Sequence, residues 1–187
     1  MKELKITKKD LDDEGYYKED SLNFDGTITS EKNLGYVKFK KELSATKGIY
    51  FKAGSGIEAG WGIKAGYGIE AGSGIKAGWG IKAGCGIEAG YGIEAGSGIL
   101  SNLFIKCKKI LKFNYSLCAG IKYYGPLKEG EDLIECGKLE GDKSLIRTGK
   151  LVELGLKKEE SCCKQKEGCN YCPYCGKSLK TEKAREK

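Results

Sequence analysis

An isoleucine recurs at every sixth position from Ile57 to Ile99, and through Ile93 it is followed by a charge, an alanine and a glycine. The repeat unit is X-Gly-Ile-(Glu/Lys)-Ala-Gly, where X is Ser, Trp, Tyr or Cys. Six is not a helical period, and so much glycine would undermine a helix. Alternation places X, Ile and Ala on one side of a short strand and the charge on the other. Each unit is therefore predicted to be a strand that ends in a glycine corner.

A second period of 18 residues lies within the first. The order Ser55, Trp61, Tyr67 nearly restarts at Ser73 and Trp79. Charges of alternating sign recur at the same step, at Lys40, Glu58, Lys76, Glu94 and Lys112. Three six-residue sides would form one triangular coil, and stacked parallel strands lie about 4.8 Å apart. The stacked charges are then predicted to form a ladder of opposite signs.

The apolar register continues outside the obvious repeat, from Val37 to Tyr123, with Lys41, Lys47 and Lys109 predicted at corners. We therefore predict an all-β fold, a hexapeptide-type parallel β-helix (β-solenoid) of about five coils. Its predicted bounds are residues 37–125, with 1–36 as an N-terminal extension with first strands, 126–158 as a β cap or linker, and 159–187 as a zinc-ribbon-like tail. The terminal coils of a solenoid are expected to be atypical.

These residues resemble the hexapeptide repeats of left-handed parallel β-helix proteins, in which one aliphatic residue per six points inward. Residues 22–140 also resemble uncharacterised bacterial and phage proteins with runs of G-x-I-(K/E)-A-G. The first resemblance implies acyl transfer, which many such solenoids catalyse with a histidine. The chain has no histidine, which removes that base and every His-ligated metal centre. No P-loop is found either, so we predict that the protein is not an enzyme.

The formal net charge is +7, which permits an acidic partner. Candidate contact residues for a nucleic acid or another partner are Lys64, Lys82, Lys106, Lys108, Lys112 and Lys122. Three functions stay open. The preferred one is a non-enzymatic protein that binds another protein. The resemblance to phage proteins implies an anti-CRISPR-like inhibitor, whose partner would be a nuclease or ribonucleoprotein effector. The others are RNA or DNA binding through basic and aromatic faces, and a structural or self-assembling scaffold.

The tail contains Cys172-Pro-Tyr-Cys175-Gly-Lys, which resembles the second knuckle of zinc-ribbon modules. Two thiolates at this spacing can ligate one Zn²⁺. Cys163 and Cys169 are the predicted second pair, while Cys162 and Cys136 are alternatives. Cys85 and Cys107 instead fall at inward positions of the repeat and are predicted to be small core residues.

The charged N-terminal stretch contains no signal-peptide pattern, and no apolar run is long enough to span a membrane. The chain has nine cysteines, which in a reducing compartment favour metal binding or packing over disulfides. We therefore expect a cytoplasmic protein of a bacterial host, without membrane contact.

Overall fold

The fold is described from a computed structural model for residues 2–121 and 125–156. Strands of these residues form three parallel sheets. The first sheet contains, in order, β1 (Glu3–Ile6), β3 (Thr27–Ser30), β6 (Ile49–Phe51), β9 (Ile69–Ala71), β12 (Ile87–Ala89), β15 (Ile105–Cys107), β18 (Leu133–Cys136) and β21 (Lys150–Glu153). The second contains β4 (Gly35–Phe39), β7 (Ser55–Ala59), β10 (Ile75–Ala77), β13 (Ile93–Ala95), β16 (Ile110–Lys112) and β19 (Lys138–Glu140). The third contains β2 (Leu22–Phe24), β5 (Leu43–Ala45), β8 (Ile63–Ala65), β11 (Ile81–Ala83), β14 (Gly98–Ser101), β17 (Ser116–Cys118) and β20 (Ile146–Thr148).

The chain visits the second, third and first sheets in turn, so that three strands complete one coil. Every pair of neighbouring strands is parallel, and within the repeat each residue pairs with the one 18 positions later, as Ile75 does with Ile93. The prediction of an all-β parallel solenoid with triangular coils is confirmed. Helix is confined, in the described part of the chain, to two short 3-10 turns, Lys8–Asp10 and Lys143–Leu145. None of the described helices is long and apolar enough to cross a membrane.

The solenoid has about seven coils instead of the predicted five, because it extends past residues 37–125: β1 to β3 precede that range and β18 to β21 follow it. Early coils are longer than 18 residues, since Val37 pairs with Ile57 and Leu22 with Leu43. Near the other end Ile105 pairs with Ile134, across residues 119–132. These longer corners break the 18-residue spacing, so the period did not predict the coils at the two ends, although their strands stack in the same three sheets.

The interior is a stack of aliphatic side chains. The repeat isoleucines are all buried, with Ile57, Ile69, Ile75 and Ile87 fully so. Each strand also points an alanine or a similar residue inward, and the charged residue between them points out. Leucine replaces isoleucine at several end positions, among them Leu43, Leu111 and Leu117, and Phe39 replaces the inward alanine. Removal of this apolar area from water is what stabilises strands only three residues long.

The predicted charge ladder is present on the second sheet, with one correction. Its first member is Lys38, because Lys38 and not Lys40 pairs with Glu58. The extra corner residues of the early coils shift the register by two positions, and Lys40 instead lies 3.3 Å from Asp20. From Glu58 the ladder continues as predicted to Lys112, and Glu140 extends it by one residue that was not predicted; the pairs are Glu58–Lys76, Lys76–Glu94, Glu94–Lys112 and Lys112–Glu140.

The X residues from Trp61 to Ser97 lie at the corners, where Lys41, Lys47 and Lys109 were also predicted and are found, whereas Ser55 is buried in β7. The prediction that X points inward with Ile and Ala was wrong for the aromatic residues, since Trp61, Trp79, Tyr67 and Tyr91 are all exposed. Each side of the triangle has room inside for one Ile and one Ala, and the chain turns at X, so bulky rings project outward.

The two cysteines predicted in the core differ in burial. Cys107 replaces an inward alanine on β15 and is buried, as predicted. Cys85 is an X residue at a corner and is only half-buried.

Candidate binding face

The three outer faces of the solenoid carry different charges. On the second sheet the ladder pairs opposite signs, and Lys112 Nζ lies 2.9 Å from Glu94 Oε1. On the first sheet Glu70 lies beside Glu88. On the third sheet Lys64 lies beside Lys82. Opposite charges therefore lie next to each other all along one face only. Each of the other two faces has a pair of like charges at its centre.

The outer face of the third sheet forms a shallow groove of about 490 Å³, lined by residues of five successive coils. We call this groove the lysine face. It is defined by Lys64, Lys82 and the three glycines that stand before the isoleucines of β8, β11 and β14, namely Gly62, Gly80 and Gly98. Within residues 2–121 and 125–156, neither Lys64 nor Lys82 has a carboxylate within ion-pair distance. Lys64 and Lys82 outnumber the one carboxylate among the residues that line the groove, Glu42, so the groove has a net positive charge.

The equivalent glycine rows on the other two faces are covered by aromatic rings of the chain itself. On the second sheet Tyr36 lies across Gly56 and Gly74. Desolvation raises the pKa of the Tyr36 hydroxyl, and Glu58 nearby adds to the shift. On the first sheet Tyr50 lies against Gly48 and Phe104 against Gly86.

On the lysine face no aromatic ring of the described residues covers the glycine row, although the Ser116 hydroxyl lies close to Gly98. A Cβ built on Gly62 or Gly80 would meet only the backbone oxygen of the next coil. Bare backbone on this face leaves room for a partner to approach closely.

The corner between the second and third sheets carries a column of X residues, each bonded through its backbone N–H to the carbonyl one coil before. Its members in order are Lys41, Trp61, Trp79, Ser97 and Tyr115. The rings of Trp61 and Trp79 stack with centroids 5.6 Å apart and planes 9° apart. Lys41 Nζ lies 5.9 Å from the Trp61 ring centroid, at the other end of the stack. We call this series the tryptophan column.

The sequence contains a signal for the tryptophan column that the prediction did not use. Trp61 and Trp79 are 18 residues apart, which is one coil, so stacking of their rings follows from the period. Because X was assigned to the interior, the rings were not considered as part of a surface.

The candidate lysines do not form one basic face. Lys64 and Lys82 lie side by side, as the period predicts. Lys106 is on the first sheet beside Glu88, with its Nζ 4.9 Å from the Phe104 ring centroid. Lys108 is exposed at a corner, and Lys112 is the ladder residue bonded to Glu94. Lys122 lies outside the described residues.

The four predicted zinc ligands, Cys163, Cys169, Cys172 and Cys175, also lie outside the described residues, as does Cys162. The remaining alternative, Cys136, is fully buried in the core, where desolvation raises the pKa of its thiol to about 11. In residues 2–121 and 125–156 no three His, Cys, Asp or Glu side chains come together as a metal site would need.

Comparisons of the chain with protein-family models, with curated proteins and with solved structures find no match.

Proposed function

We propose that the protein is a non-enzymatic binding protein that holds an acidic partner on the lysine face. The observation that carries this proposal is the pair Lys64 and Lys82 on adjacent strands, neither of which forms an ion pair within the described residues. Like charges directly opposite each other destabilise a sheet. A surface that keeps such a pair over a bare glycine row is suited to gain stability from an anionic partner.

A rigid face favours binding over catalysis for this chain. Strands β8, β11 and β14 present their outward residues from a core of fully buried isoleucines, so a partner orders little of the surface when it binds. Binding to a preorganised surface avoids part of the entropy cost of association. The absence of histidine from the sequence supports the same proposal, because the acyltransferases that the repeat resembles depend on one.

The proposed partner is an acidic surface of another protein. Resemblance to phage proteins supports a nuclease or ribonucleoprotein effector of host defence as that partner, with inhibition by occupation of its surface. A bacterial cytoplasmic location and a zinc-stabilised tail at Cys163, Cys169, Cys172 and Cys175 belong to the same proposal. A self-assembling scaffold is the alternative if two copies associate through their faces.

The test is a capture experiment from an extract of the defended bacterium, with three immobilised proteins compared under nuclease treatment. They are the wild type, the face variant Lys64→Glu/Lys82→Glu, and the control Lys9→Glu/Lys52→Glu, in which two exposed lysines away from the face receive the same change of charge. We expect one partner to be retained by the wild type and by the control and lost from the face variant.

Two results would contradict the proposal. Equal retention by the face variant would show that the lysine face is not used. Loss of the partner from the wild type after nuclease treatment would show that nucleic acid, and not a protein surface, makes the contact. Sedimentation of the purified wild type alone tests the scaffold alternative, which requires concentration-dependent growth of the particle.

A further inference from the structure

We infer that the tryptophan column contains a binding site for a nucleobase, at the level of Ser97 between the rings of Trp79 and Tyr115. The phosphate of the same nucleotide is placed beside Lys82, which lies one coil before that level. This inference goes beyond the proposed function and shares only the lysine face with it.

The tryptophan stack has one closed and one open end. Trp61 has Trp79 on one side and Lys41 on the other, and 45% of its surface is exposed. Trp79 is followed in the column by Ser97, whose side chain is too small to cover an indole ring, and 63% of its surface is exposed. The open face of the stack is therefore the face of Trp79 that is turned toward Ser97.

The next ring in the column comes two coils after Trp79. Tyr115 donates its backbone N–H to the carbonyl of Ser97 at 3.0 Å, and 70% of its surface is exposed. Two strand spacings separate the levels of Trp79 and Tyr115 by about 9.6 Å. A planar ring at the level of Ser97 would lie about 4.8 Å from each neighbour, which is within the range of offset-stacked aromatic pairs. The column thus has a vacant level of the right height for one ring.

The surface beside this level has the polarity of the rest of a nucleotide. From the level of Ser97 the chain runs through Gly98 and Ile99 to Leu100, which is about 10 Å of extended backbone, and Lys82 pairs with Leu100 from the coil before. Gly80 leaves the surface without a side chain between the corner and Lys82, while the Ser116 hydroxyl lies close to Gly98. An aromatic corner, a bare strip and an ammonium group follow the order of base, sugar and phosphate. Aromatic stacking combined with basic groups is how proteins bind single strands without reading sequence.

Tryptophan fluorescence reports directly on this site, because the chain has two tryptophans and both are in the stack. The purified full chain is titrated with a short oligothymidylate, with thymidine monophosphate and with an abasic deoxyribose-phosphate oligomer of the same length. We expect saturable quenching by the oligothymidylate, weakened by added salt, and no quenching by the abasic oligomer. Quenching by the monophosphate as well would assign the site to free nucleotides, whereas quenching by the oligomer alone would assign it to a unit of a strand.

Variants separate the vacant level from a general charge effect. Ser97→Tyr fills the level with a ring of the chain itself and is expected to abolish quenching by the oligothymidylate. Tyr115→Ala removes one wall and is expected to weaken binding at least about fivefold. Tyr91→Ala, at another corner, is the matched control and should leave the affinity unchanged. Thermal unfolding of each variant shows whether it is folded.

Three outcomes would overturn the inference. They are quenching by the abasic oligomer equal to that by oligothymidylate, unchanged affinity in folded Ser97→Tyr, and absence of quenching by any nucleotide. Quenching by an alternating Asp-Tyr peptide but not by nucleotides would assign the site to an acidic aromatic peptide instead. None of these results depends on the capture experiment, so the inference and the proposed function can fail separately.

Discussion

At the residue scale, the glycine that follows each alanine is required by stacking and not by an unusual backbone conformation. In the repeat from Gly54 to Ile99, only Gly54 has a positive φ, of 75°. A Cβ built on Gly84 would instead overlap the carbonyl oxygen of Gly66 in the coil before, and Gly78 meets Gly60 in the same way. The repeat pattern alone predicted these glycines at the bend. The structure shows that the close approach of one coil to the next excludes a side chain there.

Substitution of these glycines tests that explanation. Gly84→Ala is expected to lower the free energy of unfolding by about 1–3 kcal/mol, because the new methyl group overpacks a rigid contact. Gly68→Ala is the matched control, since its Cβ would lie 3.5 Å from the nearest atom, an ordinary contact. Urea unfolding measures both. Equal destabilisation by the two changes would mean that loss of glycine, and not the contact between coils, is responsible.

Two buried thiols, Cys107 and Cys136, make the free energy of unfolding depend on pH in the alkaline range. Desolvation raises the pKa of Cys107 to about 12 and that of Cys136 to about 11, from an ordinary value of about 9. Above pH 9 the unfolded chain loses these protons while the folded chain keeps them, so the free energy of unfolding falls as pH rises toward 11.

The measurement is urea unfolding between pH 8 and 10.5. Cys107→Ala/Cys136→Ala is the comparison, since alanine occupies the same inward position in earlier coils, as at Ala89. We expect a shallower fall of stability with pH in the variant. Tyr36, whose pKa is also raised, contributes equally to both proteins. Parallel pH profiles would show that the two thiols do not carry the effect.

At the element scale, strand register follows from the sequence wherever the 18-residue step holds. Ile63, Ile81 and Ile99 are spaced by the period, and they pair as it predicts. The step fails where corners are longer, as between β15 and β18, because corner length is set by local turns that leave no apolar period. The sequence therefore predicted the sheets and the middle of the ladder, but not the terminal coils or Lys38 as the first ladder residue.

Lys76 and Lys64 have neighbours of different charge, so substitution by glutamate is expected to change the stability in opposite directions at the two positions. Lys76 lies between Glu58 and Glu94, so Lys76→Glu would place three carboxylates in a row. Lys64 lies between Ser44 and Lys82, so Lys64→Glu would replace a repulsion with an attraction. We expect the first variant to be less stable than the second by about 1 kcal/mol.

Thermal unfolding at low and high ionic strength measures this difference. The difference should shrink in 1 M salt, because these charges are exposed and screened. Equal stabilities at low salt would contradict the assignment of Lys76 and Lys64 to columns of different charge.

At the scale of the whole molecule, the period predicts the architecture but not which face is available for binding. Lys64 and Lys82 were predicted to stack, and they do. The sequence could not predict that, among the described residues, theirs is the face without an aromatic ring over its glycine row. That difference depends on where Tyr36, Tyr50 and Phe104 lie on the other two faces. Those aromatic residues fall outside the repeat unit, so the period does not specify what their rings cover. The separation of Lys106 and Lys112 onto different sheets does follow from the period and argues against one long basic track.

The lysine pair, the tryptophan column and the vacant level at Ser97 all depend on the 18-residue stacking of parallel coils. Nuclear Overhauser contacts of the Trp79 amide proton test this stacking most directly, because the resonances of two tryptophans can be distinguished in a repetitive sequence. We expect contacts between Trp79 and Trp61, since the Trp79 N–H lies 2.8 Å from the Trp61 carbonyl oxygen. Contacts of Trp79 with Tyr67 or Tyr91 instead, as antiparallel hairpins of neighbouring hexads would give, would contradict the account.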